Sequence, residues 1–291
     1  MITGEVRNRI DRLWDAFWSG GISNPLEVIE QITYLLFIRR LDVEQTLKEN
    51  RARVTRGPIE DVIFLPEQYE LRWSRFKHTE PAVMYATVEK KVFPFLRGLR
   101  RDGTTYATHM QGARFTIPTP ALLSKAVDTL DAIETVQGDN NGKNTHDTNG
   151  DLYEYLLSKI ASAGVNGQFR TPRHIIQLMV AMTAPQPGDE ICDPACGTSG
   201  FLVAAAEYVR TQHPMAMLNA NQRQHFHRSM FHGYDFDSTM LRIGSMNMLM
   251  HGVEAPDIRY WYRDSLSQGA SEDTAKYDLI LEGYAKPSLK K

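Results

Sequence analysis

Two cysteines in 291 residues are too few for a disulfide framework or a four-cysteine metal site, so reduced thiols are the expectation. No stretch of the sequence approaches 18 uninterrupted apolar residues, and the segment from Met1 to Arg7 has no apolar secretory core. A cytoplasmic chain with no membrane association is expected from these two absences. There is also no excess of one charge: 33 basic against 35 acidic residues leave a net charge of −2. A whole-molecule basic field for gripping nucleic acid is thereby excluded. The Gly-x-Gly-x-x-Gly fingerprint of dinucleotide-binding sheets is missing as well.

What is present suffices for a sizeable core, with 42% apolar and 10% aromatic residues, and the length favours two domains. Val6, Ile10, Leu13, Trp14, Phe17 and Trp18 recur every three or four residues, which predicts a helix over 3–19 stopped by Gly20 and Gly21. Asn24, Pro25 and Glu27 form a helix-start signature, and the helix they open is expected to reach about Lys48. Its apolar positions cover much of the circumference, implying burial in a helical bundle. Residues 50–120 read as short helices and loops; the basic run from Lys90 to Arg101 reads there as a solvated helix face. Another helix is expected over 121–136. The polar, turn-rich stretch that follows places a linker at 139–150 and so a helical domain at 1–138.

Beyond the linker, Asp151 opens an expected helix through Ile160, and Thr171 with Pro172 is expected to cap and open another running to Met182. The stretch from Glu190 to Leu202 combines three features. A short strand ends in an acid at Asp193, a turn of small residues follows, and an apolar run from Phe201 to Ala206 has helical spacing. Ser199 is the expected helix cap, and Gly197 and Gly200 allow the backbone to come within contact distance of a ligand. Asp193 at a strand tip suits a cationic or hydroxyl-bearing ligand and would repel a phosphate. A second strand from Met230 ends in Asp235, where a carboxylate can accept ribose hydroxyl protons. Strands are also expected at 258–261 and 277–281. His225, His227 and His232 have no cysteine or carboxylate in ligand spacing, so surface and edge histidines are expected rather than a metal site.

The run Asp193-Pro194-Ala195-Cys196-Gly197-Thr198-Ser199-Gly200-Phe201-Leu202 resembles the first S-adenosylmethionine motif of adenine DNA methyltransferases, in the version of type I restriction-modification methylation subunits. Similar to the same family are the stretch from Leu35 to Leu41, the stretch from Gly150 to Leu157, the run Gly167-Gln168-Phe169-Arg170-Thr171-Pro172-Arg173, and Asn247 with His251 and Gly252. The resemblance implies an α/β architecture: an N-terminal helical domain, then over 151–291 a Rossmann-like methyltransferase domain with an incomplete sheet. It implies S-adenosylmethionine held by Gln168, Phe169, Arg170, Thr171, Pro172 and Arg173, by Asp193, Gly197, Thr198, Ser199 and Gly200, and by Asp235 and Asp264. In that reading Arg173 faces the cofactor carboxylate, Asp235 the ribose and Asp264 the adenine amine. It further implies DNA as substrate, with a specificity subunit and a restriction subunit as partners.

The family carries Asn-Pro-Pro-Phe or Asn-Pro-Pro-Tyr after the fourth strand, where this chain reads Gly283-Tyr284-Ala285-Lys286. Those residues accept the protons of a poorly nucleophilic adenine amine and stack the extruded base. No catalytic residue is therefore assigned, and the chain alone is expected not to methylate. A cut inside the catalytic domain, with Glu282 to Lys291 an unrelated tail, is the expectation, and an open sheet edge would favour self-association. Two rivals exist. A dinucleotide-dependent oxidoreductase is opposed by the 42-residue gap from Asp193 to Asp235, where that fold expects an acid about 20 residues past its glycines. A non-catalytic partner-binding module derived from the same family is favoured by the 283–286 sequence and opposed by the intact cofactor motifs.

Overall fold

The computed structural model describes residues 4–99, 109–138, 145–163, 171–254, 256–260 and 276–283. The chain forms two compact units, Met1–Leu99 with Met110–Lys143 and Arg100–His109 with Asn144–Lys291.

The first unit is helical. In α1 (Gly4–Ser19), Val6, Ile10, Leu13 and Phe17 are buried. Asn24 caps α2 (Pro25–Thr55), its Oδ1 accepting the Leu26 N–H at 3.0 Å. This helix runs seven residues beyond the expected Lys48, and apolar periodicity could not reveal why. It ends at the left-handed Arg56, whose N–H donates to the Ala52 carbonyl. Earlier in the helix the buried Arg72 guanidinium pairs with Asp42, with Glu49 at 2.8 Å and with the Thr46 hydroxyl at 2.7 Å. Gln45 adds a bond from the Ile63 N–H at 2.9 Å.

Short elements follow, as expected: a 3-10 turn at Pro66–Leu71, α3 (Trp73–Phe76), α4 (Pro81–Thr87), a π turn at Val88–Val92 and α5 (Phe93–Gly98). Lys90 and Lys91 are exposed there, and Lys91 pairs with Glu70 at 2.9 Å. The long α6 (Pro120–Gly138) packs against α1, α2 and α4.

The second unit begins with α7 (Thr145–Ala163), which starts six residues before the expected Asp151. Gly150 misled the sequence reading. It is a buried packing position, where an added Cβ would lie 2.6 Å from the His251 ring. After α8 (Arg173–Thr183) come β1 (Ile191–Asp193), α9 (Gly200–Gln212), α10 (Ala220–Arg228), β2 (Phe231–Asp235), α11 (Ser238–Met250), β3 (Asp257–Tyr260) and β4 (Leu279–Ile280). The strands form one parallel sheet in the order β3-β2-β1-β4, so chain direction across the sheet reverses between β1 and β4. Ligands of open α/β sheets bind at the carboxyl ends of the strands beside such a reversal.

The core over this sheet takes Ile191, Phe231, Ile258 and Leu281 from the strand regions, Ile176 and Val180 from α8, Leu202 to Ala206 from α9, and Leu241 and Met248 from α11. Helix α11 crosses close to the β1–α9 turn. The Asn247 side chain donates to the Thr198 carbonyl at 2.8 Å and to Glu154 of α7 at 3.0 Å. Gly244 is what permits this approach, because a Cβ there would lie 2.6 Å from Ser199 Oγ and 2.8 Å from the Gly197 carbonyl. A glycine-to-alanine change inside a helix ordinarily gains up to about 1 kcal/mol. For Gly244→Ala the opposite sign is expected, a loss of about 1–3 kcal/mol from forced separation of helix and turn. A lower urea midpoint at unchanged slope reads it; a gain in stability would show that the approach is not tight.

Candidate cofactor site

Asp193 closes β1, and two residues past its register partner Gly233 lies Asp235, which closes β2. Both acids thus stand at the same edge of neighbouring parallel strands, as the sequence argument requires. The turn between β1 and α9 is tied to them by backbone N–H groups. Asp193 Oδ1 accepts from Ala195 at 3.1 Å, and Asp235 accepts from Gly197 at 3.0 Å and from Asp237 at 2.9 Å. The Cys196 N–H donates to the Tyr234 carbonyl at 2.9 Å. Gly197 adopts φ +50°, and a Cβ there would meet nothing within 4 Å, so the turn borders open space.

Two expected caps are not formed. Ser199 sits in the left-handed region at φ 60°, and its buried side chain makes no cap bond to α9. A cap residue normally has extended backbone, which aims its hydroxyl at the second or third amide; the left-handed turn removes that geometry. Thr171 does not cap α8 either. Pro172 is the residue at the boundary, no side chain bonds there, and the first helical residue is Arg173. Thr171 instead lies at the tip of β4, where a Cβ on Gly283 would come within 2.5 Å of its Oγ1 and 3.1 Å of Phe201.

Arg173 donates to Glu207 at 3.2 Å and lies 3.9 Å from Asp151, so a ligand carboxylate would share this guanidinium with two acids. Pro172 is exposed, Thr198 is buried and Gly200 opens α9 against Ile176. Gln168, Phe169, Arg170 and Asp264 lie outside the described residues.

Burial dominates the electrostatics. Asp193, 1% exposed, is raised to about 7, chiefly by desolvation; the Ala195 N–H opposes the rise, while Glu282 and Asp235 add to it. Asp235 is also raised by burial, against the pull of its backbone donors. The buried Cys196 thiol is pushed well above its usual range, again chiefly by burial, with the two aspartates adding. Two contributors escaped the sequence reading. Phe236, next to Asp235, is 81% exposed; an aromatic directly after a strand-end acid was the available signal. Glu282 was read as the start of an unrelated tail, yet the Leu281 N–H bonds the Cys192 carbonyl at 2.9 Å and sets Glu282 within electrostatic reach of Asp193.

The histidines do not gather: His225 reaches the Asp189 carbonyl at 3.0 Å, His232 reaches the Ser229 carbonyl at 2.7 Å and lies 3.3 Å from Glu190, and His227 accepts the Glu254 N–H. Among the described residues no group of three His, Cys, Asp or Glu side chains could hold a metal ion, and no helix is long and apolar enough to cross a membrane.

Residues 144–284, which contain this turn and both acids, match the N-6 DNA methylase family. That region of the chain belongs to the family. Ahead of the methylase region, residues 6–130 match the HsdM N-terminal domain, which covers most of the helical unit. Among relatives, the EcoKI type I restriction enzyme methylase subunit of Escherichia coli K12 is 33% identical over 263 residues, 87% of this chain and 44% of that protein. The StySPI methylase subunit of Salmonella potsdam is 28% identical over 262 residues, again 87% and 44%. The chain therefore spans about half the length of these methylase relatives. A modification subunit of a putative type I restriction enzyme from Vibrio vulnificus shares the fold, with a TM-score of 0.71 at 23% identity over 95% of this chain and 59% of the other.

The buried Asp193 has a consequence for stability. Its pKa rises on folding from 3.8 to about 7, so between those values the folded state keeps a proton that the unfolded chain has lost. Stability attributable to this group thus falls as pH rises through that window. Asp193→Asn cannot ionise, and its stability relative to the parent is expected to grow from pH 4 to pH 8 by at most about 4 kcal/mol. Chemical denaturation at the two pH values checks this, and a constant difference would mean that Asp193 is not buried as described.

Proposed function

We propose that the second unit is the cofactor-holding part of a type I methylation subunit, with S-adenosylmethionine bound between Asp193 and Asp235 over the Cys196–Gly200 turn. The single observation that carries this reading is the pair of carboxylates, one buried and one half-buried, at the ends of adjacent parallel strands, bonded to a turn that faces open space. The donor chemistry fits. Each oxygen of an ionised carboxylate has capacity beyond one backbone N–H, so Asp235 can still accept a ribose hydroxyl. Asp193, once ionised, favours a cationic ligand.

In this reading Phe236 covers one side of the adenine, and Arg173 with the head of α8 meets the ligand's carboxylate. Gln168, Phe169 and Arg170 complete that side, and Asp264 accepts from the adenine amine. The bound cofactor supplies an electrophilic methyl group on a sulfonium; everything the chain contributes is placement and charge.

Transfer would go to the exocyclic amine of an adenine in DNA, within an assembly that includes a specificity subunit and a restriction subunit. At the point where an adenine amine needs a proton acceptor, this chain has Gly283, which has no side chain to offer. The chain by itself is thus a holder of cofactor and not a methylating enzyme. The outer edge of β4, with Ile280 61% exposed, supports self-association as well; a strictly monomeric species in sedimentation velocity would remove that part of the proposal.

The purified chain is expected to gain thermal stability with S-adenosylmethionine and none with NAD. Asp235→Ala should weaken cofactor binding about tenfold or more, the loss of a charged hydrogen-bond acceptor. Labelled methyl should not enter adenine-containing DNA without another subunit. Stabilisation by NAD but not by S-adenosylmethionine would overturn the cofactor assignment, and methylation by the chain alone would overturn its division from catalysis.

A further inference from the structure

The histidine-rich segment that makes no metal site leaves a different feature unexplained. Helix α10 carries Ala220, Arg223, Gln224, His227 and Arg228 at helical spacings of three, four, seven and eight, all on one face. Together with Glu254, from the turn before β3, they line an open cavity of about 490 Å³. Arg223 and Arg228 are exposed, and among the described residues neither is engaged in an ion pair. The His227 Nδ1 accepts the Glu254 N–H at 3.4 Å, which leaves the proton of a neutral ring on Nε2 as a donor.

We propose that this face is an anion site for a ligand of the pyrophosphate class, such as free pyrophosphate or the polyphosphate of a nucleotide, bound by the Arg223 and Arg228 guanidiniums with His227 and Gln224. The donor set is the argument. Two guanidiniums offer planar forks matched to phosphate oxygens, while an imidazole N–H and an amide add two more donors. Glu254 is the single carboxylate in the lining. The groove is open, and its volume far exceeds that of a single halide.

The local field agrees with this. Burial pushes the His227 pKa down, Glu254 opposes it, and Arg210, Arg223 and Arg228 push it down further. Glu254 offsets part of the field of these three arginines, and a bound polyanion would offset more of it. Position separates the site from the cofactor edge. Helix α10 leads into the amino end of β2 and Glu254 precedes β3, whereas Asp193 and Asp235 stand at the carboxyl ends, roughly 16 Å away along a five-residue strand. His227 and Arg228 also sit in the last turn of α10, where they would offset the helix dipole with no ligand at all; that role predicts no saturable binding.

Calorimetric titration of the whole chain with inorganic pyrophosphate, free of divalent cations, separates the two. One saturable site is expected. Arg223→Gln with Arg228→Gln should weaken it by about tenfold or more, with S-adenosylmethionine binding and the melting curve unchanged. In proton NMR the His227 titration midpoint should move up when pyrophosphate is added. Equal affinity in the double variant, a linear non-saturating titration, or an unmoved His227 midpoint overturns the site. A short DNA duplex that binds through these arginines while pyrophosphate fails to displace it overturns the small-ligand assignment. Saturable pyrophosphate binding, its loss in the double variant and the His227 midpoint are all read without S-adenosylmethionine, so failure of the cofactor proposal is seen separately.

Discussion

Two carboxylates held out of bulk water at neighbouring strand ends set the terms for the whole second unit. An ionised acid in that position is costly unless donors meet it. The donors here are main-chain amides of the β1–α9 turn and of the start of α11. A turn that spends its amides on two aspartates must itself be held in one conformation. That requirement reaches outward to α11, whose Asn247 grips the Thr198 carbonyl and whose Gly244 lets the helix lie against the turn. It then reaches α7, where Gly150 admits the His251 ring and Glu154 receives the other bond from Asn247. Residues far apart in the chain, which as isolated letters suggest nothing catalytic, are the support of one backbone turn.

This explains which parts of the fold could be read in advance. Strand, acid, small-residue turn and apolar helix follow one another within thirteen residues, so local periodicity and turn chemistry suffice for β1 and α9. Asp235 could be placed because a second strand ending in an acid is an equally local pattern. What escaped depends on contacts across long sequence separations. Gly150 looks like a helix breaker until His251, about a hundred residues later, is packed against it. Ser199 has the right chemistry for a cap and the wrong backbone, because the turn reaches α9 through a left-handed residue. Side-chain type decides what a residue can bond; φ decides where it points, and only the second was invisible.

The end of β4 brings a sharper consequence. In methylases of this kind an asparagine follows the fourth strand, and this chain has Gly283 with Thr171 packed against the space a side chain would fill. Placing any Cβ there without moving Thr171 would bring the two within 2.5 Å, far inside van der Waals contact. Restoring an asparagine there would therefore also require the Thr171 side chain to move. Just before the glycine, Glu282 raises the proton affinity of Asp193. A carboxylate in the mouth of such a site works against an electron-rich, anionic reactant and in favour of a cation. Both features act in one direction. Under the cofactor proposal, Glu282 favours a cation beside Asp193, while Gly283, the very next residue, offers no side chain to accept a proton from a base.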